Sequence, residues 1–458
     1  MKNAKERFLP AGVVTAIFAV ALISSFFSAP FAAAQEKKPK QETAQKEKAQ
    51  KALELETMTV TAQKREENIQ EVPASITALS EIQIEDAGIK DMEDLVYYTP
   101  NLHVVKSGNH AEQQLIIRGS FNRMNPNPPV GVFVDGVGYS RHLAYDPDFY
   151  DIERIEVLKG PQGTLFGRNT EAGVINIITK KPGNIWEGKV SAGYGDLEGE
   201  GYDTHDYSGT IRGPLIKDRL FFGISGKRYF SDGYYQNDYL GTDDVEDRDD
   251  ISGRATLRWT PTDVWDIILN INADRYDDGF GGFAPLEEMR HNTHHVNLDY
   301  ESDLENDLNG QSLSLDYEGD WFRFTSITAH RDVDYDLAYD MDFTQVDLWR
   351  NYYDLDQDQW SQEVRLASPK DSGPFKWLIG GYYLDEDYDV DCTFDYRQGF
   401  PAWGIPPYMT TQKSKLHTEN YAFFGQATYT LWEKLGLTAG LRYEHDEKEL
   451  GAALLRRP

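Results

Sequence analysis

The chain has 458 residues, a formal net charge of −30 and an aromatic content of 13%. That acidity argues against a nucleic-acid binder, whose partner's phosphates demand Lys and Arg. A single cysteine, Cys392, excludes an intrachain disulfide and a cysteine-based metal cluster.

Lys2, Lys5 and Arg7 form a positive start, an apolar run follows from Ala11 to Phe31, and Ala32-Ala33-Ala34 offers a small-residue cleavage site. Residues 1–34 thus have the layout of a secretory signal peptide. The alternative is a membrane anchor, since the run is long enough to span a bilayer. No later segment approaches roughly 18 continuous apolar residues, so a membrane role for the mature chain has to come from strands. Residues 35–55 are polar and repetitive, with little to bury. Next, Thr57, Thr59 and Thr61 alternate with Met58 and Val60, which is strand periodicity. Flanked by flexible chain, such a segment can add itself to the sheet edge of a partner. The alternative is an ordinary first strand.

Residues 68–182 read as a compact mixed α/β unit. Ser75–Leu79 is a strand, and Ser80 is placed to cap a helix carrying Ile82 and Ile84. Met92–Val96 is a second helical piece that ends ahead of Pro100. Leu115-Ile116-Ile117-Arg118-Gly119 is an apolar run, and Val132–Val137 holds the hairpin signal Asp135-Gly136. Asp151–Pro182 begins with a strand bearing Ile152, Ile155 and Val157. A turn punctuated by Gly160, Gly163 and Gly167 follows, then a buried strand with Val174, Ile175, Ile177 and Ile178.

From about Ile185 onward the pattern is strands. In Ser252–Arg275, Ala255, Leu257 and Trp259 share one face, as do Trp265, Ile267, Leu269, Ile271 and Ala273 after a short turn; Ile268 breaks the alternation. A second hairpin places Tyr421, Phe423, Gly425, Ala427, Tyr429 and Leu431 on one face, then Leu435, Leu437, Ala439, Leu441 and Tyr443. Strands about 9–11 residues long with one apolar face suit a transmembrane barrel. Aromatics at strand ends (Trp259, Trp265, Tyr429, Trp432) favour membrane girdles over a soluble sandwich. Connections near 213–218, 260–264, 318–321, 367–375 and 431–435 are short, and those near 229–250, 275–308, 331–354 and 385–416 are long. Short turns belong in the periplasm and long loops outside. The acidic runs Asp243–Asp247 and Asp385–Asp391 are expected in the long loops, as solvated faces or as chelators of ions that bridge lipopolysaccharide. His291, His294 and His295 approach metal-ligand spacing, but an external loop position makes them solvated side chains, and no metal site is assigned.

The stretch DIERIEVLKGPQGTLFGRNTEAGVINIITKKP (151–182), with Tyr-Thr-Pro-Asn (98–101), Ile-Ile-Arg-Gly (116–119) and Val-Asp-Gly (134–136), closely resembles the plug domain of TonB-dependent outer-membrane receptors of the ferric-siderophore type. The resemblance is dense over residues 56–182. It implies a signal peptide (1–34), a periplasmic leader with TonB box (35–67), a mixed α/β plug domain (68–182) and an antiparallel transmembrane β-barrel (183–458). About 11 of roughly 22 strands are expected here, an incomplete barrel. The leader is too short for the extra signalling domain of some receptors, and Leu454–Pro458 does not resemble the family's aromatic terminus. The expectation is a chain truncated at about half the barrel.

Thr57, Met58, Thr59, Val60 and Thr61 look like the TonB box. Arg118, Gly119, Asp135, Gly136, Glu156, Lys159, Gly160, Gly163 and Gly167 carry the plug motif. Outward plug connections offer Lys106, His110, Asn122, Arg123, Asn125, Tyr139, Arg141 and His142 as ligand-binding candidates. The implied function is import of a scarce nutrient, a ferric siderophore first among them, across the bacterial outer membrane, driven by TonB and its inner-membrane energising complex. Cobalamin, haem, copper complexes and oligosaccharides are alternatives within the family. The rival classes are a passive channel, a surface binding protein that does not transport, and a truncated receptor without function. The resemblance implies no enzyme activity, no ATP and no bound cofactor. Outer-membrane lipid and lipopolysaccharide are the expected surroundings.

Overall fold

The structure, a computed structural model, describes residues 58–106, 113–121, 127–141, 149–197, 202–280, 283–291, 294–399, 404–432 and 434–457. Residues 1–57, which hold the expected signal peptide and most of the expected leader, and His110, Asn122, Arg123, Asn125 and His142 lie outside the described residues.

The first unit is mixed α/β. A small antiparallel pair, β1 (Thr59–Val60) and β2 (Glu67–Asn68), opens it. β3 (Ser75–Ser80) runs into α1 (Glu81–Ala87), which Ser80 starts through a capping box with Gln83 and Gly88 ends at φ 69°. α2 (Met92–Tyr98) stops at Thr99, ahead of Pro100. Then come β4 (Leu102–Lys106), β5 (Gln113–Ile117), β6 (Val130–Val134), β7 (Val137–Tyr139), β8 (Ile152–Lys159), α3 (Gly163–Phe166) and β9 (Gly173–Thr179). A five-stranded sheet has the order β3-β8-β9-β6-β7, with β6 and β9 parallel and the other pairs antiparallel. The β6–β7 turn puts Asp135 and Gly136 at φ 50° and 83°, the left-handed pair that a tight hairpin requires. Met92, Leu95, Leu102, Ile117, Ile155, Ile175 and Ile177 are buried in the core. The glycine-punctuated stretch after β8 folds into α3, one helical turn that its glycines concealed.

The second part is a meander: β10 (Glu187–Leu197), β11 (Tyr202–Ile216), β12 (Leu220–Ser231), β13 (Tyr235–Asn237), β14 (Thr242–Val245), β15 (Arg248–Trp259), β16 (Trp265–Asp278), α4 (Leu286–His291), β17 (His295–Val296), β18 (Asp303–Glu318), β19 (Arg323–Asp340), β20 (Trp349–Ala367), β21 (Phe375–Tyr396), β22 (Tyr408–Leu431) and β23 (Leu435–Arg457). Eleven of these, all but β13, β14 and β17, form one antiparallel sheet in sequence order, with β10 and β23 at its edges. The eleven strands of the sequence reading are all present. Leu257, Trp259, Leu269, Ile271, Tyr421 and Phe423 are exposed on the outer face. Ile268, the breach in the alternation, is 5% exposed and faces inward.

Two expected loops are corrected. Most of 331–354 and 385–416 is strand, and only 341–348 and 397–407 connect. The acidic run 385–391 lies on β21, not in a loop. Its outward residues are aspartates and its inward ones include Tyr388 and Val390, so the alternation persists while the mean composition turns polar.

The outward apolar band sets a directional test. Leu269→Lys should cost about 2–4 kcal/mol in bilayer stability, whereas Asn270→Lys, on the inward face, should cost under about 1 kcal/mol. Urea titration of the intact receptor in lipid vesicles measures both; equal costs would mean that the faces are misassigned.

Candidate functional site

Three groups of contacts hold together the leader strand, the plug sheet and the inward face of the barrel strands, here called the wall. The first seats the leader strand. Thr59 pairs with Asn68 and Val60 with Glu67. Val60 is fully buried against Ala62, Val72, Leu158 and Val174. The Thr61 amide and hydroxyl donate to Glu156 at 2.8 and 3.1 Å, the Arg154 Nε donates to the same oxygen at 2.8 Å, and Asn176 donates to Thr61 at 3.1 Å and Glu156 at 3.3 Å. Glu156 has no exposed surface, so these donors are what make its burial tolerable. The plug motif had marked Glu156 without a role; it is the anchor of the leader.

The second group lies on the wall at the short-turn end. Lys64 sits in a left-handed turn at φ 56° and donates to both oxygens of Glu363, at 2.6 and 2.7 Å. Its ammonium lies over Phe166 and Phe424, at 5.2 and 5.3 Å from the ring centres. Burial pulls the Lys64 ammonium down to about 8, with Glu363 acting the other way. Glu66 pairs at 2.9 Å with Lys370, in the short connection between β20 and β21. Leu165 of α3 is buried against Ala367, Leu378 and Phe424 of the wall. A β-carbon on Gly167 would meet the Arg442 guanidinium at 2.5 Å, and φ there is 83°. Beside these contacts a cavity of about 690 Å³, lined by Thr61, Lys64 and Arg65 from the leader, separates plug from wall.

The third group is higher on the wall. Arg141, 1% exposed, donates to Glu386, which has no exposed surface, at 2.8 Å, and its guanidinium lies 4.6 Å from the Tyr388 ring centre. Gln357 bridges Ser140 and Glu386, 2.7 Å to each, and Ser140 also donates to Glu386. Arg168 completes the set at 3.5 Å. Arg331 of β19 stacks on Tyr139 at 3.4 Å.

The candidates therefore separate. Arg141 locks the plug to the wall instead of facing open space, Lys106 is paired with Glu93, and Tyr139 lies under Arg331 at the inner wall. Among the motif residues, Asp135 accepts from the Thr179 amide at 2.9 Å and hydroxyl at 2.7 Å, and Lys159 donates to Thr77 at 2.9 Å. Arg118 has φ 54° beside Gly119 at 75°, and its guanidinium lies against Gly160. Glu363, Gln357 and Glu386 escaped the sequence reading. Their signal was there: each is an acid or amide on the inward phase of a long strand.

Residues 68–174 match the TonB-dependent receptor plug domain, and residues 272–453 match the TonB-dependent receptor-like β-barrel. The pesticin receptor of Yersinia enterocolitica is 24% identical over 414 residues, covering 85% of this chain and 56% of its own. A probable TonB-dependent siderophore receptor of Acinetobacter baumannii is 28% identical over 346 residues, covering 68% of this chain and 43% of its own. The ferric yersiniabactin uptake receptor of Yersinia pestis superposes with a TM-score of 0.74 at 21% identity, over 84% of this chain and 60% of that one. The chain belongs to the TonB-dependent receptor family, whose members are receptors and transporters and not enzymes. It spans 43–60% of the length of these relatives.

Two variants test the contacts. Glu386→Gln leaves Arg141 buried without a counter-charge and should cost the plug about 3–5 kcal/mol, while Arg141→Met with Glu386→Leu should recover most of it. Hydrogen exchange in β6 and β7 reads this, and an unchanged opening energy in Glu386→Gln would refute the lock. Glu363→Gln strands Lys64 in the same way. A cysteine placed by Val60→Cys should then react with maleimide at least about tenfold faster, as the leader unseats.

Proposed function

We propose that this protein imports a ferric chelate across a bacterial outer membrane, with TonB supplying the force. Residues 1–34 direct export, 35–67 form the periplasmic leader with the TonB box at Thr57–Thr61, 68–182 form the plug, and 183–458 contribute to the barrel. The observation that carries this reading is the leader strand. It is seated by a short pairing, one buried valine and a carboxylate anchor, at the edge of a cavity between plug and wall. Such a seat holds at rest and yields to a competing strand, because few residues need to unpair.

Ligand binds at the outer side, on plug tips and wall, and loosens the seat. TonB pairs with Met58–Thr61, pulls along the strand, and the plug opens locally towards the cavity. Within the described residues, no helix is long and apolar enough to cross a membrane; the outward apolar strand faces serve that purpose. The names of the relatives support an iron chelate as cargo. So does the inward chemistry, where Arg331 over Tyr139 and Arg254 over Tyr150 suit an anionic, aromatic-rich ligand. The acidic excess of β21 does not argue for a cationic cargo. Asp387, Asp389 and Asp391 face outward, paired with His417, Lys415 and Lys413 of β22.

Val60→Pro separates transport from binding, because proline removes a donor and blocks strand pairing. In cells carrying the intact receptor, uptake across a panel of radioiron chelates that includes ferric yersiniabactin should fall at least about tenfold, while surface binding stays within about twofold. Uptake that survives the substitution would defeat the energy-coupled reading and leave a passive channel.

A further inference from the structure

Asp299, Asp340 and Asp342 meet at the outer end of the sheet. Asp340 ends β19, Asp342 lies in the loop to β20, and Asp299 lies in the connection between β17 and β18. One carboxylate oxygen from each lies within 4.8 Å of the others. Asp340 is 1% exposed. Its Oδ1 accepts the amides of Asp342 and Phe343, each at 3.0 Å, whereas its Oδ2 is buried with no hydrogen-bond partner. A buried carboxylate oxygen without a donor is costly and calls for a cation.

Arg350 does not fill that need. Its ion pairs go to Asp299 at 3.0 Å and Asp347 at 3.1 Å, and its guanidinium lies over Tyr300. Asp342 accepts the Thr344 hydroxyl at 2.5 Å and the Trp349 amide at 3.1 Å, both neutral donors.

We propose that Asp299, Asp340 and Asp342 bind one divalent cation of the calcium class. The donors are hard carboxylate oxygens, with no imidazole or thiolate among them, which selects calcium or magnesium over transition metals. Two of them stand in connections, and such adaptable donors suit calcium's irregular shell better than magnesium's strict octahedron. Opposed oxygens about 2.4 Å from calcium stand roughly 4.8 Å apart, so three oxygens that all lie within 4.8 Å of one another are close enough to share one ion. The ion would fasten the connection that carries Asp299 to the β19–β20 loop. Both flank one apolar cluster, in which Val245, Val296 and Leu298 are buried and Phe343 packs alongside. This site orders the outer end of the molecule whatever cargo is carried.

The test uses the intact receptor in detergent, stripped with chelator and titrated with calcium, magnesium or terbium. Terbium emission excited through Trp349, next to Asp342, should saturate and be displaced by calcium. Asp340→Asn and Asp342→Asn should each lower calcium affinity at least about tenfold. Glu419→Gln, in the exposed group formed with Asp385 and His417, should leave it unchanged. Without calcium, Asp340→Asn should melt at or above the wild-type temperature, because it removes an uncompensated buried charge; saturating calcium should reverse that order. An equal calcium-induced shift in wild type and Asp340→Asn would overturn the proposal, as would lower stability of Asp340→Asn in both conditions. A larger shift with magnesium than with calcium would overturn the calcium class.

Discussion

A strand that crosses lipid turns alternate side chains to opposite sides, and in this molecule the key inward acids are met by the plug and the leader. That constraint organises the structure. Glu386 and Glu363 stand on inward rows, without a shell of water, and the plug and leader supply Arg141 and Lys64 to them. The wall fixes the plug by charge more than by apolar contact, since the shared apolar contacts are limited to patches such as Leu165 with Leu378 and Phe424. Buried ion pairs add little net stability, yet losing one partner is expensive. They therefore specify a position strongly without making a seal that resists water. An interface of this kind suits a plug that holds one register at rest and rehydrates when part of it is drawn out.

The leader shows the same logic at smaller scale. β1 has two residues, far too few to persist alone, and its place depends on Val60 in the plug core and on Glu156. Glu156 connects this strand to the plug sheet, because it stands on β8 beside Asn176 of β9. Whatever displaces Thr61 leaves a fully buried carboxylate with fewer donors, so release of the leader and loosening of the central sheet are energetically coupled.

Much of this was legible in the residues. Alternation located the two clearest hairpins, Asp135-Gly136 marked a turn, and Ser80 marked a helix start, because each of these is a local signal. The alternation over Thr57–Thr61 pointed to a strand, of which Thr59 and Val60 form one, but nothing local said that it folds back on Glu67 and Asn68. Glu386 was hidden in an acidic run whose neighbours face the other way, so composition averaged over the run masked a period of two. α3 was hidden because three glycines looked like a loop, although one of them serves to let Arg442 approach. What failed in every case was long-range: partners 245 residues apart, as for Arg141 and Glu386, leave no trace in a window of ten.

The outward row of the same strands adds to the net negative charge. Asp332, Asp358 and Asp387 stand opposite one another across β19, β20 and β21, as do Asp334, Asp356 and Asp389. Like charges placed directly opposite destabilise a sheet, and water and salt must screen them. They are therefore tolerable only beyond the apolar band, and Trp360, half exposed and paired with Asp385 across β20 and β21, marks that boundary. Below it the outward row is Val364, Ile379 and Tyr383; above it the row is aspartate until Lys413, Lys415 and His417 answer it on β22. One strand such as β21 thus carries three chemistries: apolar towards lipid, acidic towards the outside, and a single buried acid towards the plug.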